Sequence, residues 1–156
     1  QAEDASRQRM VNALMNFAPV GPIVFHGTNA KPFEKFDPSL IGSRDHGTSG
    51  AGIYGSPNLQ TAKGYGQNVL KIESNPSNPI AFDAAMEIKS KIIEDLQKAG
   101  IADSEIEKII GKELTKKLQS MGHDAVSPSD SKWWKGVGDS WTFFDPKKVK
   151  ILGVAE

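Results

Sequence analysis

The residues that could do chemistry in this chain fall into separated groups. The apolar run Ile23-Val24-Phe25 ends in His26-Gly27-Thr28. A glycine at such a point leaves its backbone N–H and C=O open to close approach by a ligand, because no side chain stands in the way. His26 can donate to a ligand hydroxyl, and Thr28 can support the turn. Tyr54 and Tyr65 stand eleven residues apart. Their flat faces could bracket a planar ring, and an aromatic slot of that kind excludes water and strengthens polar contacts inside it. Arg44 lies between these groups and by itself reads as a solvated loop arginine. Near the end, Asp139-Ser140 places an acid and a hydroxyl ahead of the run Trp141-Thr142-Phe143-Phe144. Trp133 and Trp134 sit just before, in the Lys- and Gly-rich stretch SKWWKGVGDS. Adjacent loop tryptophans can form a recognition surface, since Trp is enriched at binding hot spots; the plainer reading puts one in the core with the other covering it.

Other chemistries are excluded. The chain has no cysteine, which removes disulfides, thiolate nucleophiles and cysteine zinc sites together. His46 and His123 are read as structural or surface groups, because three scattered histidines carry no metal-like spacing. Glu105-Ile106-Glu107 falls within a helical stretch and is read as a solvated helix face. Lys plus Arg number 19 and Asp plus Glu number 19, a balance that argues against a generally sticky nucleic-acid binder. No run approaches the roughly 18 apolar residues of a membrane span. The 156 residues, 38% apolar and 24% charged, fit one soluble, monomeric unit with one core.

The elements that must position these residues can be read along the chain. Residues 4–17 have Met10, Leu14 and Phe17 at helical spacing, and Ala18-Pro19 stops the helix. This gives an N-terminal helix over 1–20 and the main unit over 21–156. A strand over 23–25 runs into the His-Gly-Thr, and 29–51 form a long loop, a length that is usually functional. Gly52-Ile53-Tyr54-Gly55 is a short strand entering a turn. Residues 59–64 form a short helix with Tyr65 at its end, and 69–73 a strand. Asn75 to Pro79 is a turn. Helices are expected over 83–98 and 103–121, the second capped by Asp103 or Ser104 and ended by Gly122. Strands follow at 123–126 and 141–144, with a polar loop over 127–139 between them. Asp145-Pro146 is a turn, and 149–154 a last strand or extended tail. Short strands broken by long loops and two inserted helices give the class α+β.

Taken in order, these segments resemble a known family. Phe25-His26-Gly27-Thr28 looks like the His-Gly-Ser/Thr motif of ADP-ribosyltransferases of the diphtheria-toxin and poly(ADP-ribose) polymerase type. Gly52-Ile53-Tyr54, followed by Ala62-Lys63-Gly64-Tyr65, is similar to that family's Gly-Ile-Tyr block with its second tyrosine. Trp141 to Val149 resembles its last strand pair, and Gly122-His123-Asp124-Ala125-Val126 is similar to a Gly-Tyr-Asp segment of phage and mobile-element members. The resemblance covers about residues 22–153. It implies a split β-sandwich that holds NAD bent, with the nicotinamide buried and its glycosidic bond open to an acceptor. His26, Gly27, Thr28, Arg44, Tyr54, Ser56 and Tyr65 would then contact NAD, with no metal. Trp133 and Trp134 would face the acceptor.

One departure stands out. Family members place a glutamate five residues before the Asp of the Asp-Pro turn, and counting back from Asp145 lands on Ser140. That glutamate binds the nicotinamide ribose and stabilises the charge that develops as nicotinamide leaves. Asp139 is the neighbouring acid. It would point to the opposite face of a regular strand unless a bulge, which Gly136-Val137-Gly138 could permit, turned it inward. Three readings stay open: Asp139 is the acid, the chain works without one or only binds, or Ser140 is an inactivating change. The resemblance implies an enzyme that transfers single ADP-ribose units from NAD to a macromolecule, protein more than nucleic acid, with His26, Tyr54, Asp139 and Ser140 at the reacting centre. The alternatives are a silent NAD- or ADP-ribose-binding module and an NAD glycohydrolase. The expected setting is a bacterial toxin, effector or phage-borne domain with no membrane association, acting in a host or competitor cytosol. Gln1 reads as the cut end of a longer chain whose upstream part handles delivery.

Overall fold

The computed structural model describes residues 21–41, 48–131 and 138–155, together with Arg7. Most of the expected first helix, and Arg44, His46, Trp133, Trp134, Gly136 and Val137, therefore lie outside the described residues; Arg7 is helical. The fold is α+β. Along the chain run β1 (Ile23–Thr28), β2 (Ile53–Gly55), α1 (Leu59–Lys63), β3 (Asn68–Ser74), β4 (Pro79–Ala81), α2 (Phe82–Lys98), α3 (Asp103–Ser120), β5 (Ala125–Ser127), β6 (Trp141–Phe143) and β7 (Val149–Val154).

The strands form two sheets. One has the order β1-β3-β7 and is antiparallel throughout; the other has the order β2-β6-β5-β4, in which only β4 and β5 run parallel. Alternation along the strands explains why the sheets share a core. Val24, Leu70 and Ile72 from the first sheet pack with Ile53, Ala125 and Phe143 from the second. Phe25 and Ser56 then stitch the sheets together by exchanging two backbone hydrogen bonds of 2.8 Å.

A second cluster seats the helices. Phe82 and Ala85 of α2 and Leu114 and Leu118 of α3 bury against Ile80, Val126 and Phe144. The outer faces carry i,i+3 and i,i+4 ion pairs such as Lys91–Asp95 and Lys98–Glu94, which contribute little each. The glycines that end these helices do so in the left-handed region, Gly100 at φ 84° and Gly122 at φ 93°. The N-terminus of α3 differs from expectation. Ala102 occupies the cap position without a side-chain hydrogen bond, so neither Asp103 nor Ser104 caps it. Asp103 and Glu105 instead lie in the first turn, where their negative charge meets the positive end of the helix.

Asp124 ties β5 to the loop before β4. Its carboxylate accepts from Ser77 N (2.7 Å), Ser77 Oγ (3.1 Å) and Asn78 N (2.9 Å). Partial burial pushes its pKa up, but these hydrogen bonds outweigh that and leave it below the ordinary value of 3.8. A depressed carboxylate stabilises the fold above its unfolded-state pKa and loses that contribution as pH falls through its folded value. Asp124→Ala should therefore cost about 1–2 kcal/mol at neutral pH, allowing for its solvent contact. In chemical denaturation the gap between variant and wild type should close below pH 3.8. A gap that is independent of pH would refute an ionised bracket.

Among the described residues no helix is long and apolar enough to cross a membrane.

Candidate active-site cleft

The layer between the sheets opens at one end into a cleft of about 390 Å³. Ile53, Phe33, Phe36 and Ile41 belong both to the shared core and to the cleft wall, so the cleft is the unfilled continuation of the core. Its polar side brings together residues far apart in sequence. His26, Gly27, Thr28, Tyr54, Ser56, Tyr65 and Ser140 all line it.

β1 carries His26 to the cleft. The ring Nδ1 lies 2.7 Å from the Tyr54 carbonyl oxygen. A carbonyl only accepts, so Nδ1 carries the proton and donates. Burial lowers the His26 pKa below its ordinary 6.5, and the bond to Tyr54 partly offsets this. The ring is also packed edge-on against Phe36, with centroids 5.0 Å apart. Thr28 holds the turn that follows, its Oγ1 accepting from Ala30 N at 3.1 Å.

Gly27 is required by packing. A Cβ there would lie 1.8 Å from the Ala62 carbonyl oxygen and 3.1 Å from Tyr65 Cβ. Its bare Cα thus lets α1 sit directly on β1, and this contact sets where Tyr65 falls at the end of α1. Asn58 starts that helix, its Oδ1 accepting from Gln60 N at 2.8 Å. Tyr65 is 52% exposed and lines the cleft.

Tyr54 is braced from behind. Its hydroxyl donates to the Gly50 carbonyl (2.6 Å) and accepts from Ser49 N (2.9 Å). Ser49 Oγ in turn lies 2.6 Å from Oγ1 of Thr142, which faces Tyr54 across the β2–β6 ladder. Segment 49–51 is held by α3: Ala51 N donates to Gly111 O (3.1 Å), and Thr115 Oγ1 donates to Ala51 O (3.0 Å). The inserted helix therefore reaches the cleft through one short segment and one phenol.

At the start of β6 the cleft wall carries Ser140, which is buried, two residues before Thr142. Asp139 is not among the lining residues. Its Oδ1 is buried and has no hydrogen-bond partner. The expected inward turn of Asp139 is not seen, because the chain enters β6 with ordinary alternation and that puts Ser140, not its neighbour, on the wall. The one charged side chain among the described lining residues is Asp37. Its carboxylate accepts from Ser39 N (2.9 Å) and Ser39 Oγ (2.7 Å), capping the turn Pro38–Leu40. Sequence reasoning missed the apolar wall of Phe33, Phe36, Leu40 and Ile41. The available signal was four large apolar residues within a loop otherwise rich in polar residues, Pro and Gly.

No protein-family model matches the chain, and no curated protein does. Among solved structures the chain is similar to one titled as the crystal structure of an anti-CRISPR protein, at 18% identity and a TM-score of 0.48, covering 86% of this chain and 98% of that one. That likeness is too loose to bear on fold family or function. Among the described residues no group of three His, Asp or Glu side chains gathers as a metal site would require.

Proposed function

We propose that the chain is an NAD-dependent ADP-ribosyltransferase of split-β architecture that places single ADP-ribose units on a macromolecular acceptor, a protein rather than a nucleic acid. The observation that carries this is convergence. Residues drawn from β1, the β2 turn, the end of α1 and the start of β6 line one cleft, and they are the residues that the family resemblance singles out. Two sheets sharing a core that opens into that cleft also fit a bent dinucleotide held between them. The volume lies within the roughly 300–1,000 Å³ of small-molecule sites.

In this reading Tyr65 packs its ring against the nicotinamide, and Tyr54, fixed by Ser49 and Gly50, closes the other side. The glycosidic bond from ribose C1′ to nicotinamide breaks with its electron pair leaving on nicotinamide. Positive charge grows on the ribose, and an acceptor nucleophile then bonds to C1′ and loses its proton. Asp139 is the acid we assign to that charge. A buried carboxylate oxygen without a hydrogen bond is costly in a native fold, and a functional demand on Asp139 accounts for that cost. This role requires that the chain entering β6 turn Asp139 to the cleft when NAD is bound. Ser140 in the wall itself favours a second reading, a module that binds NAD or ADP-ribose without turning it over.

Nicotinamide release, measured with and without a cell lysate as acceptor source, separates these readings. Release that depends on lysate, with labelled ADP-ribose appearing on protein, supports transfer. Release without lysate indicates hydrolysis, and binding without release indicates the silent module. Tyr65→Ala should weaken NAD binding by roughly 1–3 kcal/mol in calorimetry. Being 52% exposed, Tyr65 should cost little stability when removed. Unchanged affinity in a folded variant would count against the pocket.

A further inference from the structure

Segment 49–51 lies outside every strand, so its polar groups must be met one by one. Two of them hold Tyr54: the Gly50 carbonyl accepts from the Tyr54 hydroxyl at 2.6 Å, and Ser49 N donates to it at 2.9 Å. Two others are held by α3. Ala51 N donates to the Gly111 carbonyl at 3.1 Å, and the Ala51 carbonyl accepts from Thr115 Oγ1 at 3.0 Å. A mid-helix threonine ordinarily turns its hydroxyl back to the carbonyl four residues earlier. For Thr115 that carbonyl, Gly111, is the more distant acceptor at 3.2 Å, and the nearer one belongs to the segment. The hydroxyl also sits against Gly50, where a Cβ would stand 2.7 Å from Thr115 Oγ1.

We infer that Thr115 is a positioning residue for the cleft: its hydroxyl fixes segment 49–51, and the segment fixes the phenol of Tyr54 on the cleft wall. This deepens the NAD reading and rests on it only for the identity of the ligand. No residue of α2 or α3 lines the cleft. The inserted hairpin nevertheless becomes a working part of the site. α2 joins from its own side, Lys89 Nζ donating to the Thr48 carbonyl at 2.9 Å just ahead of the segment.

The planarity of the peptide bond explains why one hydroxyl matters. The Gly50 carbonyl and Ala51 N belong to the same peptide plane. That plane therefore reaches from the Tyr54 hydroxyl at one end to Gly111 of α3 at the other. The Ala51 carbonyl belongs to the next plane, and among its hydrogen bonds the one from Thr115 anchors that plane to α3. With both bonds in place the backbone on either side of Ala51 is fixed. With the Thr115 bond gone, the second plane can pivot about the Ala51 Cα and loosen the first, which receives the phenol. Ala51 is buried, so water does not readily replace the lost donor.

Two measurements test this, one of them free of ligand. The chain has 2 tyrosines, so carbon-13 labelling of the tyrosine rings gives two signals for the carbon bearing the hydroxyl, told apart with Tyr65→Phe. Thr115→Val keeps the shape of the side chain and removes the donor. It should move the Tyr54 signal and leave that of Tyr65 in place. Thr115→Ser, which keeps the hydroxyl, should restore the Tyr54 signal, and Thr115→Ala is the companion variant that should move it as valine does. A Tyr54 signal that stays put in both Thr115→Val and Thr115→Ala would overturn the inference whatever the ligand proves to be. Calorimetry with NAD should then show affinity weakened about three- to tenfold in Thr115→Val and recovered in Thr115→Ser. In a Tyr54→Phe background, where the phenol is already gone, Thr115→Val should add little. Losses that multiply in the double variant would mean that Thr115 acts by another route, and the inference fails. An absence of NAD binding by the natural chain refutes the proposed ligand, while the tyrosine signals still decide the role of Thr115.

Discussion

Asp139→Asn is expected to cut nicotinamide release by roughly 10²–10³-fold while leaving NAD affinity nearly unchanged. The substitution keeps the shape of the side chain and removes the charge, so it acts chiefly on the step in which positive charge develops on the ribose. It should not destabilise the fold. Asp139 Oδ1 is already buried without a partner, and removing a charge that the protein does not use structurally should leave the melting temperature equal or higher. The pairing of lost activity with retained stability is what separates a functional acid from a structural one. Ser140→Glu provides the converse. Ser140 is on the cleft wall, so a glutamate there is expected to enter the cleft. If Asp139 serves, this change adds little. A fully active Asp139→Asn, or activity that appears only with Ser140→Glu, would sink the assignment of Asp139 and identify the natural chain as a binding module.

Gly27→Ala should be the most damaging single methyl group in the site. Its Cβ would sit 1.8 Å from the carbonyl oxygen of Ala62, a backbone atom that cannot rotate away. α1 must lift from β1, and Tyr65 moves with it. Overpacking against backbone costs about 3 kcal/mol, which for a chain of this size lowers the melting temperature by roughly 5–10 °C. NAD binding should fall as well, since Tyr65 loses its place. Gly64→Ala in the same helix end is the control: the nearest atom to its added Cβ is Thr61 O at 3.3 Å, and the effect should be small. Equal melting temperatures for the two variants would show that the β1–α1 contact is looser than described.

The cleft and the fold were legible in the sequence to different depths. The helices were read as 83–98 and 103–121 and found at Phe82–Lys98 and Asp103–Ser120, because a periodic apolar face persists over many residues. β4 was not legible. It is three residues long, begins with Pro79, and earns its place only by parallel pairing with β5, so the stretch before it read as a turn. On the polar side of the cleft, His26, Tyr54, Tyr65 and Ser140 could be named from motif order, since spacing survives in sequence. The bracing of Tyr54 could not. It depends on Gly50, whose φ of 100° turns the chain beside Thr115, and on a hydroxyl contact between Ser49 and Thr142, ninety-three positions apart. Hydrogen bonds between distant segments leave no periodic trace. The tautomer of His26 was out of reach for the same reason, because it is set by a carbonyl twenty-eight positions away.

The parallel pairing of β4 with β5 carries a consequence for how the chain acquires its shape. Antiparallel neighbours can zip together from a tight turn, but a parallel pair must wait for its crossover, and here the crossover is the whole of α2 and α3. Closing so long a loop before any ladder bond rewards it is slow. The helices are dense in local contacts and can form early, and the β1–β3 ribbon can form without them. What comes late is β5, and β6 lies against β5 while β2 lies against β6. The wall bearing Tyr54 and Ser140 needs β2 to meet β6 across most of the chain, so its assembly is expected after the helices and the first ribbon. A chain caught partway, with both helices and the first ribbon in place, would resemble the finished protein by circular dichroism and yet have nowhere for a ligand to bind.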